Sequence, residues 1–258
     1  MLKEMWGIWD GINFDLVDYK SNTYIVRGYD DIQATLDEHL VNTQVIQFSA
    51  FKKPFEEEIM TWYSKLKTVS DVMEEWMKCQ GNWMYLQPIF DSGDISKQLP
   101  AESKKFKSVD VVWKGNMALA KQFSNVMQVC CTEGLLEKFK EANDKLEHIQ
   151  KSLNEYLEKK REKFARFYFL SNDDLLEILS QTKEPTAVQP HLKKVFENIH
   201  SIEFDYKKVI VAMFSAEKEK VDFVDEVDPN NKNVEDWMNE VEQMMCQSIK
   251  YELKRSVD

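Results

Sequence analysis

Histidines and cysteines are few in this chain, and its many carboxylates are poorly spaced for metal binding or for acid–base catalysis. Glu197 and His200 form the one Glu-x-x-His pair, whereas a di-iron site in a helical bundle needs two such pairs and two further carboxylates. Adjacent carboxylates at 56–58 and 74–75 have the spacing of solvated helix backs and do not indicate a glycosidase. We therefore predict no catalytic residue and no metal site.

The remaining histidines and cysteines indicate no further chemistry. His39 and His148 stand beside acidic residues on predicted helix surfaces, and nothing in the sequence pairs His191 with a nucleophile. The four cysteines form no CxxC pair, which favours reduced thiols in an intracellular compartment. Adjacent Cys130 and Cys131 could be redox-sensitive, but burial in a helix is the favoured interpretation.

Glycine use, net charge and the length of the apolar runs argue in turn against a nucleotide, a nucleic acid and a membrane as partners. The seven glycines are scattered, and no GxxxxGK[ST] motif occurs. A net charge of −11 is a poor match for a phosphate backbone, which needs a concentrated positive surface. No apolar run approaches the about 18 residues that span a bilayer, and the first ten residues lack the apolar core of a signal peptide.

Two short stretches near residue 165 remain as candidates for interaction. The basic stretch is read either as favourable charge at a helix C-terminus or as a docking patch for an acidic partner. The aromatic stretch that follows it is read either as core or as a contact surface. Together with two polar neighbours they form our candidate hinge and interaction residues: Lys159, Lys160, Arg161, Arg166, Phe167, Tyr168, Phe169, Asn172 and Asp173.

Long helices must position these residues. One predicted helix carries large apolar side chains, and one amide, at alternating spacings of four and three, the period of a helix face packed along other helices. We call this face the seam: Phe55, Ile59, Trp62, Leu66, Val69, Met73, Trp76, Gln80 and Trp83. Pro88 predicts that the helix ends near Leu86. Further long helices are predicted from Pro100 and from Thr132, which together indicate an antiparallel bundle of the spectrin type.

Short strands are predicted on both sides of the bundle. Alternating side chains over 12–17 and the run 24–26 indicate a β-hairpin with its turn at 20–23, and a capped helix follows to about Gln47. Trp6 and Trp9 lie so near the start that we expect the natural chain to continue upstream.

The character of the sequence changes after the third long helix. Residues 166–170 favour a strand, and Ser171 with Asp174 has the spacing of a capping box that opens a helix. A helix over about 186–198, a second hairpin with strands at 209–214 and 221–224, and a closing helix from about Asn233 complete the prediction. The acidic run over 222–228 in the second hairpin is typical of a solvated strand edge.

The predicted fold class is mainly α: elongated antiparallel long-helix bundles of the spectrin type with two short β-hairpins. We expect an N-terminal helix, hairpin and helix over 1–50, a three-helix bundle over 51–165, and a second helical subdomain with a hairpin over 166–258. From the residues alone, such a chain fits a helical scaffold or docking module.

Collinear segments of the sequence resemble dynein heavy chains. They are DDIQATLDEHLVNTQ at 30–44, FKKPFE at 51–56, WMYLQPIF at 83–90, KFARFYFLSNDDLLEILS at 163–180 and VQPHLKK at 188–194. The resemblance extends over nearly the whole chain from about residue 6, and its character is that of axonemal, ciliary members.

The resemblance implies the central part of the dynein linker, a lever that bends and straightens across a ring of AAA-type ATPase modules. It implies no ATPase activity in this chain, with ATP and Mg²⁺ held in the ring, and so no cofactor here. The implied partners are the AAA ring of the same heavy chain and, through the whole motor, microtubules of the ciliary axoneme. We expect a monomeric fragment that flexes within 159–174, where the long bundle gives way to the second subdomain.

Overall fold

Helices dominate a computed structural model of this chain, which describes residues 2–20, 23–180 and 184–257. The helices are α1 (Leu2–Gly11), α2 (Tyr29–Gln47), α3 (Glu56–Asp91), α4 (Gly93–Gln98), α5 (Pro100–Phe123), α6 (Val126–Cys130), α7 (Leu135–Lys163), α8 (Asn172–Ser180), α9 (Leu192–Val195) and α10 (Val234–Arg255). The strands are β1 (Asp15–Tyr19), β2 (Thr23–Arg27), β3 (Ser201–Phe204), β4 (Ile210–Phe214) and β5 (Lys220–Val227). The predicted mainly α class with short β-hairpins is confirmed.

Two compact units divide the chain. Unit 1 holds the residues up to Gln87 together with Ala101–Ile149, and unit 2 holds Pro88–Pro100 and the residues from Gln150 onward. The division therefore falls inside α3 and inside α7, so each of these helices contributes to both units. The expected three-part division into 1–50, 51–165 and 166–258 stays a prediction.

The predicted seam of α3 forms the core of unit 1. Seven of its nine residues are at most 4% exposed: Ile59, Trp62, Leu66, Val69, Met73, Trp76 and Trp83. The Trp76 ring lies 5.0 Å from that of Phe14 and 4.7 Å from that of Phe139 in α7. Phe55 is 54% exposed because it lies in the 3-10 turn Lys53–Phe55 before α3 begins, so its predicted place in the seam is wrong.

Gln80, the polar member of the seam, attaches the first hairpin to α3. Its amide accepts a hydrogen bond from Val26 N at 2.8 Å and donates one to Val26 O at 2.9 Å. The hairpin pairs β1 with β2 in antiparallel register from Asp15↔Arg27 to Tyr19↔Thr23, and Ser21 and Asn22 of its predicted turn lie outside the described residues. The first strand begins at Asp15 and ends at Tyr19, later than the predicted 12–17. The residues before it bond instead to the α5–α6 connection, as in Phe14 N donating to Ser124 O at 2.8 Å.

Pro88 does not end α3, which continues past the predicted end near Leu86 to Asp91. Proline supplies no N–H for an interior hydrogen bond, and its ring clashes with the preceding turn, which together cost a helix about 3 kcal/mol. Phe90 is only 6% exposed, and its carbonyl accepts a hydrogen bond from Ser96 Oγ at 2.6 Å. Burial of this last turn therefore outweighs the local preference of the sequence.

The third long helix begins later than predicted. It starts at Leu135 and not at Thr132, because the short helix α6 and a turn come first. Asn125 caps α6 by accepting a hydrogen bond from Gln128 N at 2.9 Å, while its Nδ2 donates to Trp9 O at 2.8 Å. One side chain thus ends the α5–α6 connection and attaches it to α1.

Unit 2 contains an antiparallel sheet in the order β3-β4-β5, which includes the predicted second hairpin. The closing helix α10 packs on β5, and Ser248 Oγ accepts a hydrogen bond from Val224 N at 3.0 Å. The predicted strand over 166–170 is wrong: Ala165–Phe169 is a 3-10 turn whose amides bond locally, as in Phe167 N to Phe164 O at 3.0 Å.

The predicted helix over 186–198 is wrong as well. The 3-10 turn Pro185–His191 contains Pro190, and only the four residues of α9 follow as α-helix. Proline lacks the amide hydrogen that a continuous helix would use there. Within the described residues, none of the helices has the length and apolar character required to cross a membrane.

Candidate hinge and interaction segment

The nine candidate residues lie in unit 2, from the last turn of α7 through the 3-10 turn to the first turn of α8. Their environments differ sharply. Lys160, Arg161 and Phe167 are buried, at 8%, 8% and 0% exposed. Arg166 and Asn172 are half-buried, whereas the other four are exposed: Lys159, Tyr168, Phe169 and Asp173. The basic stretch is therefore not one surface patch.

Lys160 forms a buried ion pair with Glu235 in the first turn of α10. Lys160 Nζ lies 2.6 Å from Glu235 Oε1, and the carboxylate is fully buried. Lys163 Nζ lies 3.3 Å from the same oxygen. A lysine at the C-terminal end of one helix and a glutamate at the N-terminal end of another are both favoured by the helix dipoles. Removing one partner of such a pair would leave an uncompensated buried charge.

Tyr156 borders this ion pair. Lys160 Nζ lies 5.3 Å from the centre of the Tyr156 ring, a cation–π contact. Burial, and then the negative charge of Glu235, raise the pKa of Tyr156 above its ordinary value. The phenol therefore stays protonated, and it donates a hydrogen bond to Gln98 Oε1.

Arg161 joins the end of α7 to the start of α8. Its Nη2 donates to Leu170 O at 3.2 Å and to Asn172 Oδ1 at 2.8 Å. Its Nε contacts Phe167 O at 3.4 Å, and its Nη1 donates to Glu158 Oε1 at 2.8 Å. The planar fork of arginine carries five N–H donors on three nitrogens and reaches four acceptors here, whereas a lysine has all its donors on one nitrogen.

Arg166 is engaged on the opposite side of the 3-10 turn. Its Nε donates to Glu242 Oε1 of α10 at 2.8 Å, and its Nη1 donates to Val195 O at 3.3 Å. The guanidinium lies 4.9 Å from the centre of the Phe196 ring. The charge of Arg166 is therefore balanced within unit 2.

The aromatic stretch is divided between core and surface. Phe167 packs edge-on against Phe164, with ring centroids 4.9 Å apart. Tyr168 is 57% exposed and donates a hydrogen bond to Glu158 Oε2 at 3.3 Å, while Phe169 is 69% exposed. The core interpretation is right for Phe167, whereas Tyr168 and Phe169 are exposed to solvent.

Ser171 caps α8 as the spacing predicts. Its Oγ accepts a hydrogen bond from Asp174 N at 3.2 Å and donates one to Asp174 Oδ2 at 2.8 Å. Lys194 Nζ lies 2.9 Å from the same oxygen. The hydrogen bond from Lys194, followed by that from Ser171, lowers the pKa of Asp174 to about 2. The carboxylate is therefore ionised at neutral pH.

Two histidines are buried: His39, which the sequence places at the surface, and His191, to which the sequence assigns no role. His39 is 4% exposed, which corrects its predicted place on the surface, and its Nδ1 accepts a hydrogen bond from Trp9 Nε1 at 2.9 Å. Burial lowers the pKa of His39, which favours the neutral ring. His191 is 5% exposed and has Nδ1 3.5 Å from Asp174 Oδ1 and Nε2 3.3 Å from Glu177 Oε2.

The adjacent cysteines differ in exposure. Cys130 is buried in α6, where burial raises the pKa of its thiol, whereas Cys131 is exposed. Burial is thus right for Cys130 and wrong for Cys131. In the described ranges, no three His, Cys, Asp or Glu side chains are grouped so that they could hold a metal ion.

Sequence reasoning missed two carboxylates of α10 that pair with this segment, Glu235 and Glu242, and Glu235 is the buried one. It lies 75 residues beyond Lys160 along the chain, and its only local signal is an acidic position in the first turn of a predicted helix. A buried carboxylate has no separate sequence signature, because most glutamates in such positions are solvated.

Fold and site together describe a helical structural module, with a long aromatic seam in unit 1 and a junction of buried charges in unit 2. Residues 1–256 match the family described as "Dynein heavy chain, N-terminal region 2". This chain therefore belongs to the dynein heavy chain family and corresponds to an N-terminal region of those proteins.

Curated relatives support the same assignment over nearly the whole chain. Identity is 48% over 242 residues with Dynein axonemal heavy chain 1 of Rattus norvegicus, covering 93% of this chain. It is 47% over 245 residues with Dynein axonemal heavy chain 3 of Homo sapiens and 44% over 251 residues with Dynein axonemal heavy chain 12 of Rattus norvegicus, covering 94% and 96% of this chain. The chain spans only 5%, 6% and 8% of the lengths of these relatives.

Proposed function

We propose that this chain is a mechanical linker segment of a dynein heavy chain, which relays ATP-driven changes in an AAA ring into the power stroke. The observation that carries the proposal is the match to N-terminal region 2 of dynein heavy chains over residues 1–256. In this role the chain would move as part of a motor without hydrolysing ATP itself.

The packing within unit 1 supports a force-bearing role. α3 is 36 residues long, which corresponds to about 54 Å of continuous helix. Its tryptophans lie against aromatic rings of other helices, as in Trp83 and Trp113, which stack at 5.2 Å. Burial of each large seam side chain contributes about 2–3 kcal/mol, so bending this helix would disrupt many favourable contacts at once.

Flexure within 159–174 is the second part of the proposal. The long helix α7 ends there, and a 3-10 turn of five residues precedes α8. Movement at this point would have to break the hydrogen bonds of Arg161 to Leu170 O and Asn172, or the ion pair between Lys160 and Glu235. These contacts would therefore hold one of the two states. The other state would need different contacts of similar free energy.

The partners follow from the proposed role. The AAA ring of the same heavy chain would bind the ATP and Mg²⁺, and microtubules would be contacted only by the complete motor. The names of the relatives favour the cytoskeleton of a ciliary axoneme as the location. Membership of this family makes a motor segment a better interpretation than a separate spectrin-like scaffold.

A chimera tests the lever. This chain would replace the matching 242 residues of Dynein axonemal heavy chain 1, and purified motors would be assayed for microtubule gliding and for ATP hydrolysis. We expect the chimera to retain both. A version carrying Trp76→Ala should glide more slowly at an unchanged basal ATPase rate, because a softened lever transmits less displacement per cycle.

The matched control is Phe48→Ala, which removes an aromatic ring from a position that is 88% exposed. It should leave the gliding velocity unchanged. Two outcomes would show that the segment does not act as a lever. In one, Trp76→Ala lowers the ATP hydrolysis rate and the gliding velocity in the same proportion; in the other, it changes neither rate.

A further inference from the structure

A cleft in unit 2 lies beside the candidate segment and is used by neither part of the proposed function. It has a volume of about 370 Å³ and lies between α10, strands β4 and β5, and the residues that follow α9. Its walls are mostly apolar, with Phe196, Ile199, Met213, Val221, Met245 and Ile249. A volume of this size lies within the range of sites that hold small ligands or inserted side chains.

Three charged side chains lie around this cleft. Arg166 is already balanced, since it donates to Glu242 Oε1 at 2.8 Å and to Val195 O at 3.3 Å. Glu197 and Glu219 also line the cleft and are exposed, and among the described residues neither carboxylate takes part in an ion pair. The cleft therefore has two exposed carboxylates that could each pair with a cationic group of a partner.

The neighbouring hairpin adds to this negative charge. Besides Glu219, residues 215–228 contain five acidic residues and two lysines. One of these lysines, Lys220, is engaged with Glu203 at 2.8 Å and Asp222 at 3.1 Å. Such a field attracts cationic segments and repels acidic ones.

We propose that this cleft binds a basic peptide segment that inserts an apolar side chain between α10 and the sheet. Lysine or arginine residues next to the inserted side chain would pair with Glu197 and Glu219. The apolar walls supply affinity through burial, while the two carboxylates select the charge of the partner. This inference does not rest on the lever role, because it concerns only the chemistry of the cleft.

Fluorescence anisotropy with the 258-residue chain tests the proposal. The probe is a labelled synthetic peptide in which two central leucines are flanked by lysines. Two comparison peptides carry glutamates in place of the lysines, or serines in place of the leucines. We expect saturable binding of the first peptide that weakens with added salt, and binding at least about tenfold weaker for both comparison peptides.

Variants of the chain locate the binding site. The pair Glu197→Gln and Glu219→Gln should weaken binding about fivefold, since solvent screening keeps the contribution of each exposed charge pair small. Ile249→Ser should weaken binding by a similar factor through the lost apolar wall. The matched control, Glu217→Gln with Asp225→Asn, removes two exposed charges outside the cleft and should change affinity less than twofold.

Three outcomes would overturn the proposal. These are no saturable binding of the basic peptide, equal binding of the acidic peptide, or equal weakening by the control pair and the cleft pair. Circular dichroism of each variant shows whether the fold is kept. All the charge substitutions are at exposed positions, so a loss of binding would not be explained by unfolding.

Discussion

The Arg161 side chain connects the end of α7 to the 3-10 turn and to the start of α8. We expect Arg161→Lys to loosen this connection, because a lysine cannot reach Leu170 O, Phe167 O and Asn172 together. Leaving buried carbonyl groups unpaired costs about 1–3 kcal/mol. Amide hydrogen exchange over 164–180 should therefore become about tenfold faster or more in this variant.

The adjacent Lys159 provides the control for Arg161. It lies in the same helical turn but is exposed, so Lys159→Ala should change exchange in that segment only slightly. Equal exchange rates in Arg161→Lys and the unsubstituted chain would mean that the observed hydrogen bonds do not limit opening of this junction.

Asp174 makes part of the stability of unit 2 depend on pH. Lys194 and Ser171 lower the pKa of Asp174 to about 2, below its ordinary value of 3.8. A lowered pKa means that the stabilisation is complete above about pH 4 and is lost as the pH falls through about 2. Asp174→Asn should cost about 1–2 kcal/mol at pH 7, after allowance for a side chain that is 20% exposed.

Urea unfolding followed by circular dichroism measures this effect. The difference between Asp174→Asn and the unsubstituted chain should shrink as the pH is lowered from 4 to 2. The exposed neighbour Asp173 supplies the control, since Asp173→Asn should behave like the unsubstituted chain at both values. A difference that is constant with pH would exclude the carboxylate charge as its source.

Sequence reasoning at the residue scale succeeds where the partner is close along the chain. Ser171 and Asp174 are three residues apart and form the predicted cap. Lys160 pairs with Glu235 across 75 residues, and the local pattern around each is that of a solvated charge at a helix end. Long-range pairing of this kind depends on tertiary packing, which one sequence without relatives does not reveal.

At the scale of the elements, the seam of α3 stabilises unit 1. Trp76 is completely buried between Phe14 and Phe139, so Trp76→Ala should lower the free energy of unfolding by about 3–5 kcal/mol. Six of the seven tryptophans lie at or before position 113, within unit 1. Urea unfolding followed by tryptophan fluorescence therefore reports mainly on this unit.

Phe48→Ala is the control for the seam, because Phe48 is 88% exposed and has little contact to lose. It should shift the free energy of unfolding by no more than about 0.5 kcal/mol. If both variants lost the same stability, burial in the seam would not be the cause.

The long helices could be predicted from the sequence because their periodicity persists over many turns. The residues at which these helices end could not be predicted, as the continuation of α3 through Pro88 shows. There the burial of Phe90 outweighs a missing hydrogen bond. For the 3-10 turn at Ala165–Phe169 the sequence predicts a strand, because a short apolar run fits both structures. Only the local hydrogen bonds of Phe167 and Leu170 distinguish them.

For the whole molecule, the relatives are far longer than this chain, which spans 5–8% of their lengths. Each unit nevertheless has its own core: the seam in unit 1, and the sheet with α10 in unit 2. A segment that carries two cores can be studied by itself for stability and binding, whereas its proposed mechanical role requires a complete motor.

At this scale we expect the 258-residue chain to hydrolyse no ATP above the buffer rate and to bind no ATP with Mg²⁺. The sequence has no GxxxxGK[ST] loop to surround phosphates, and its seven glycines are dispersed. Phosphate release assays and calorimetric titration with Mg²⁺-ATP measure both properties. The control is His200→Ala, because Glu197 and His200 form the one Glu-x-x-His pair in the sequence. Turnover that persisted through purification and disappeared in that variant would show that this chain is itself an enzyme.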